Sequence, residues 1–438
     1  MVTIKTWRLP AWSAVAAVCA SLFFPAMLVH QHVRAAGPSG TITWAVPADP
    51  NELKAVRLQI SLFHTMHPTI TVKLIQIPNN LDYDTKVATL IAGGAPPDIY
   101  ASGDVILPTL FTKGYAKDLT PYIKRDHYNT SDFFQEEFRY FKYKGDVYAL
   151  SDNWDTQVMY YNKDLFRQAH LSFPTANWTW SDFRNAARRL TSGTGTKKVY
   201  GAVFQTWFAP LYSLIWSNGG DVFSKDGKST LLNQPAAVQS IQWVADLINK
   251  DKVAPTTSVM GSTGPDLLFM SGRVGMLVSA GRWDAAEFVA PGGISKFGWA
   301  AAPLPKGTHG RANFFHLAAW IIAGNAKNPD AAWEFLKFIV SPRGIAIAAS
   351  YEQGIPSRNS LAHVKTFLSD PTNEKFDLVQ PWITSLPTVR LPTEIVNFKQ
   401  AQSLIDSALD PVWRGRTTAK AGMDALAPKL NAELKSSQ

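Results

Sequence analysis

The sequence predicts an α/β protein of two lobes, each a sheet flanked by helices, and three observations carry that expectation. Thr41 to Val46 and Ile70 to Ile77 read as strands around a stretch where Leu53, Val56, Ile60 and Phe63 recur at helical spacing. Strand, helix and strand within so few residues form a βαβ unit, which implies a parallel sheet. The alternation returns in "KVATLIAGGAPPDIY", where Gly93-Gly94 stops a helix and Pro96-Pro97 turns the chain into a short strand. Finally, the 403 residues that follow the first 35 of the 438 are too many for one core, yet no repeat, low-complexity tract or long linker divides them. Two lobes joined by short crossover strands, with a cleft between them, are therefore expected.

The first 35 residues stand apart from this scheme. Lys5 and Arg8 precede an apolar run from Ala11 to Val29, and Val33-Arg34-Ala35 closes the segment, the pattern of a cleaved secretory signal. The only cysteine, Cys19, lies inside it and matches a lipobox poorly, so the mature chain would hold no thiol for a disulfide, a nucleophile or a metal. Losing Lys5, Arg8 and Arg34 lowers the net charge from +9 to +6, and the surplus forms no basic block, which argues against nucleic acid as a partner.

Further along, "NQPAAVQSIQWVADLINK" has Pro235 in a first turn and Val238, Ile241, Ala245 and Ile248 on one face of a helix. "NPDAAWEFLKFIV" predicts another, capped by Asn328, with Ala332, Phe335, Leu336 and Ile339 as its buried stripe. Most of the 15 tryptophans are expected in these cores, with a few left for a ligand.

Catalytic patterns are weak. In the mature chain His64 and His67 are the only close histidine pair and lack a third ligand at metal-site spacing; "SGTGTKK" at 192–198 lacks the phosphate-loop spacing; no G-x-S-x-G elbow occurs. No catalytic residue, metal or cofactor is assigned. Paired carboxylates for glycoside hydrolysis could come from Asp104, Asp152 and Asp155, which keeps a secreted carbohydrate-active enzyme as the alternative.

The order of "FHTMHPTITVKLI", "LIAGGAPPDIYASGDV", "KGYAKDLTPYI", "YKGDVYALSDNWDTQVMYYNKDLF", "NWTWSDF", "LFMSGRVGMLVSAGRW", "APLPKG", "NPDAAWEFLKFIVSP" and "GIPSR" resembles that of extracellular solute-binding proteins of family 1, the sugar-binding subunits of ABC importers, similar to maltose-binding proteins. The resemblance covers essentially the whole mature chain. It implies the type II periplasmic-binding-protein fold, with crossovers near residues 147–152, 299–304 and 353–357. The corresponding segments are 1–35 (signal), 36–150 and 305–352 (first lobe), and 151–304 and 353–438 (second lobe). It implies a monomer without catalysis, exported to the periplasm or cell surface, that closes on a mono- or oligosaccharide and docks on permease subunits. A sugar phosphate, polyol or amine stays open as the solute, with Arg282, Arg311 and Arg358 available for a phosphate.

A sugar has apolar faces and a rim of hydroxyls, so its receptor needs flat aromatics and carboxylates or amides on loops after strands. That selects Asp49, Ser102 and Asp104 in the first lobe. In the second it selects Trp207, Phe208 and Tyr212, and above all Trp283, where Gly-x-Trp follows a strand. Asp155 matches a position where relatives place a sugar-binding acid, and Trp154 is its neighbour. Asp155→Ala is expected to weaken binding with folding nearly intact. Phe314-Phe315-His316 replaces the small residues common in relatives, which puts Phe315 and His316 in the pocket and the identity of the sugar in question.

Overall fold

The computed structural model describes residues 37–48, 52–77, 83–103, 105–205, 208–261, 263–290, 292–349, 354–362, 379–395 and 397–436, and two sheets organise them. In chain order the strands are β1 (Gly40–Pro47), β2 (Ile70–Ile77), β3 (Ile99–Gly103), the small hairpin of β4 (Lys142–Tyr143) and β5 (Asp146–Val147), and β6 (Leu150–Thr156). Then come β7 (Val158–Asn162), β8 (Tyr200–Phe204), β9 (Val274–Ala280), β10 (Trp299–Pro303), β11 (Asn313–Ile322), β12 (Ile355–Pro356) and β13 (Val389–Arg390). The first sheet runs β12-β6-β11-β3-β1-β2 with β13 beside β11, and the second runs β10-β7-β9-β8.

The expected βαβ unit is present: β1 pairs with β2 and β3 in parallel, and helix Glu52–Met66 makes the crossover. The strands that return later, β6 and β11, pair antiparallel, so the sheet is mixed. Helix Pro329–Ile339 covers this sheet with the predicted stripe of Ala332, Phe335, Leu336 and Ile339. Its predicted cap is corrected: the Asn328 amide donates to the Thr41 carbonyl at 2.9 Å, tying the helix to β1 instead. Helix Pro235–Asn249 buries Ala237, Ile241, Val244 and Ala245, a stripe rotated slightly from the predicted one because helices Phe398–Trp413 and Ala419–Ser436 also pack on it. His64 and His67 do not converge: His67 stacks on Phe63 with centroids 4.6 Å apart, while His64 Nδ1 lies 3.3 Å from the Ile70 carbonyl.

The chain changes sheet at Gln157, between β6 and β7, not at 147–152, and it returns between β10 and β11, after the predicted 299–304. These two passages are strapped together. The Asn313 side chain donates to the Gln157 carbonyl at 2.6 Å and accepts from the Gln157 N–H at 3.1 Å, while the Ser213 hydroxyl donates to Gln157 Oε1 at 2.8 Å. All of these groups are buried, which satisfies backbone that leaves one ladder before joining the next. β12 lies in the first sheet, against β6 at Asn153 and Trp154. The signal segment and His363 lie outside the described residues, and no helix among those described is long and apolar enough to cross a membrane.

Candidate ligand-binding site

Strand geometry sorts the predicted residues before chemistry does. Successive side chains of a strand point to opposite faces of its sheet, so Trp154 and Asp155 on β6, like Phe315 and His316 on β11, cannot share a face. The register places His316 opposite Asp155 and Phe315 opposite Thr156. Trp154 and Phe315 accordingly meet on one side, with centroids 5.3 Å apart, and Phe134 lies flat on Trp154 at 5.4 Å. At 2% and 1% exposure, both are packing residues, which corrects their assignment to the pocket.

On the other side Asp155 is also buried, and its carboxylate is fully engaged. Oδ2 accepts from the Arg282 backbone N–H at 2.7 Å; Oδ1 accepts from Trp382 Nε1 and from the Thr156 N–H, both at 2.7 Å. Burial pushes this carboxyl up to about 6, although the three donors and the nearby His316 pull it down. Arg282 opens helix Arg282–Val289, so Asp155 acts as an anion at its N-terminus, delivered from a strand of the other sheet. Asp155 therefore ties helix Arg282–Val289 to β6, and its removal is expected to cost stability as well as binding.

That helix carries Trp283. A bulge at the end of β9 sets its direction: Val278 pairs with Met159 and Ala280 with Val158, leaving Ser279 extra at φ 63°. Gly281 follows, its N–H donating to Asp284 Oδ2 at 2.7 Å and its carbonyl accepting from the Tyr160 hydroxyl at 2.7 Å. The Trp283 indole folds back over Gly281 so closely that a Cβ there would run into the ring. Trp283 is half-buried and meets the His316 ring edge to face, with centroids 5.3 Å apart.

A run of rings continues along this face. His316 stacks on Phe314 at 4.7 Å, Phe314 meets Phe208 at 5.6 Å, and Phe208 meets Phe398 at 4.8 Å. Phe314 is wholly buried, and Tyr212, at 1% exposure, packs against it and Trp216, which corrects the assignment of Tyr212 to the pocket. Phe398 leads to a cavity of about 530 Å³ bounded by helix Tyr83–Ala92, β3 and helix Leu107–Thr112 on one side and by Asn397–Gln400 on the other. Ser102, near the carboxyl end of β3, lines it; Lys399 crosses it to donate to Thr85 Oγ1 at 3.3 Å. The volume suits a small polar ligand. Asn397, Phe398 and Lys399 had been missed, since their only signal is position at the start of a late helix. Asp49, Asp104 and Trp207 lie outside the described residues.

The remaining candidate acids for catalysis are internal. Asp152 is 3% exposed and accepts from Asn153 Nδ2 at 3.0 Å, with burial raising its carboxyl. Neither Asp152 nor Asp155 lines the 530 Å³ cavity. Arg358 is committed to the core as well, donating to the Val340 carbonyl at 2.7 Å and the Tyr128 hydroxyl at 2.6 Å.

The bacterial extracellular solute-binding protein family model matches residues 43–346. The arabinooligosaccharide-binding protein of Bacillus subtilis is 28% identical over 62% of this chain and 63% of its own. The maltodextrin-binding protein MdxE of the same organism is 25% identical over 76% and 78%. The structure of the ABC substrate-binding protein Lmo0181 of Listeria monocytogenes, in complex with cycloalternan, superposes with a TM-score of 0.81 over 91% of this chain and 99% of that one, at 26% identity. With the family model covering more than half its length, this chain belongs to the bacterial extracellular solute-binding proteins, a two-lobed α/β fold.

Proposed function

We propose that this protein is an exported receptor that captures an oligosaccharide between its lobes and presents it to the membrane subunits of an ABC importer. The observation that carries the reading is the 530 Å³ cavity, whose walls come from two separated parts of the chain and combine rings with hydroxyl, amide and ammonium groups. A sugar takes both kinds of contact at once. Ser102, Phe398 and Asn397 would serve it from the cavity, with the exposed parts of Trp283, His316 and Phe208 as stacking surface, and Asp49, Asp104 and Trp207 retained as candidates. The oligosaccharide ligands named for relatives support the substrate class.

We take the lobes to follow the sheets: residues 36–156 and 313–357 build the first, and 158–304 with the C-terminal helices build the second. The protein works as a monomer, without catalysis, at the cell surface or in the periplasm. Titration calorimetry of the protein lacking residues 1–35 against malto-, arabino- and galacto-oligosaccharides checks this. Saturable one-to-one binding without product is expected; binding of another solute class alone sinks the sugar assignment, and hydrolysis of chromogenic glycosides would establish an enzyme instead.

A further inference from the structure

A second cavity, of about 370 Å³, lies inside the second lobe between β8 and helices Ala209–Ser217, Pro235–Asn249 and Phe398–Trp413. Its lining is unlike a sugar site. Leu214, Val244, Ile248, Leu409 and Trp413 give it aliphatic and aromatic walls, and only a few polar groups interrupt them. Two of these stand out. Asp406 and Asp410 sit one turn apart on the same helix; Asp410 holds Arg414 in a two-pronged contact at 2.8 Å, whereas the bond recorded for Asp406 is from the neutral Gln402 amide, at 2.6 Å. No cationic side chain among the described residues pairs with Asp406, an exposed residue on the cavity lining whose carboxyl is raised by partial desolvation. The Thr257 hydroxyl, sealed from solvent and lining the same cavity, has no hydrogen-bond partner among the described residues.

An apolar chamber with an exposed carboxylate on its lining that no cation neutralises fits a ligand with an apolar body and a cationic head. We propose that this cavity is a binding site for an aliphatic amine, its chain among Leu214, Val244, Ile248 and Trp413 and its ammonium donating to Asp406. The geometry suits an amphiphile: the chain is taken up by the apolar walls while the ammonium stays at the exposed carboxylate, which gains from a partner that brings both charge and hydrogen-bond donors. The inference does not depend on the carbohydrate reading. Phe208 lines this cavity and Phe398 the larger one, so their edge-to-face contact is a wall common to both.

The test is calorimetric titration with n-octylamine, using octanoate, of equal chain length and opposite charge, as the control. Saturable binding of the amine at one site and none of octanoate is expected. Leu214→Trp and Ile248→Trp, both partly exposed positions on the cavity wall, should fill it and abolish binding while circular dichroism stays native. Asp406→Asn should weaken the amine at least about tenfold, the loss of one good charge-assisted bond. Absence of amine binding, equal binding of octanoate, or undiminished binding in Asp406→Asn overturns the proposal. The last two comparisons hold even if a tryptophan variant fails to fold.

Discussion

The two faces of the β6–β11 ladder use adjacent residues for opposite purposes. One face, with Trp154, Phe315 and Phe134, is a sealed aromatic core. The other, with Asp155, His316 and Phe314, binds the sheet to the second lobe through the Arg282 N–H and the Trp382 indole and ends at the half-exposed Trp283. Under the proposed function, the difference teaches that an acid matched to a ligand position can act one residue removed from the ligand, by fixing the helix that carries the proposed stacking ring, Trp283. The largest test of the contrast is on the apolar side. Trp154→Ala removes a fully buried indole and leaves a cavity, so stability should fall by about 3–5 kcal/mol in denaturant unfolding, with the midpoint shifted and the slope kept.

On the polar side Asp155→Ala leaves two buried N–H donors and one partly buried one without an acceptor, an effect partly offset by removing a carboxylate that burial disfavours. The expected loss is about 2–3 kcal/mol at pH 7. A fall in oligosaccharide affinity should accompany it, because the helix that carries Trp283 loses its anchor. Unchanged stability would show that the carboxylate is not a brace.

The same carboxyl gives a pH signature. Its folded value of about 6 lies above the ordinary 3.8, so the folded state binds the proton more tightly than the unfolded chain. Stability from this group is therefore present below about pH 4 and is lost as pH rises to about 6, by about 3 kcal/mol in all. Asp155→Asn should flatten this limb by that group's share in urea titrations between pH 4 and 7. Glu137 would add a decline at higher pH, since burial pushes it up to about 8 beside Ser357.

How far these features could be read in advance follows from their range along the chain. The βαβ start and the stripe of Pro329–Ile339 are written in local periodicity, so both are legible. Trp154 and Phe315 were misplaced although the needed information, a two-residue period, was local: grouping neighbours by chemistry ignored that a strand separates them. Trp382, Phe398 and the Gln157–Asn313 strap depend on segments more than 150 residues apart and leave no local trace. The sheet change at Gln157 escaped for the same reason, since β6 and β7 follow each other without a turn.

The smallest effect on folding, and the sharpest on function, belongs to Trp283. The ring is half-buried and meets His316 and the backbone at Gly281, so Trp283→Ala should change stability by about 1 kcal/mol, the range of a surface-proximal aromatic contact. Affinity for the oligosaccharide identified by calorimetry should fall at least about tenfold if this ring is the stacking surface. Gly281→Ala makes a finer cut. Gly281 has φ −100°, which alanine tolerates, so the substitution acts through the indole that its Cβ would strike. It should displace the ring while keeping Asp155, Arg282 and Tyr160 in place, and so lower affinity with a near-native melting temperature. If Gly281→Ala binds as tightly as the parent while Trp283→Ala does not, the ring matters as bulk and not as an oriented face.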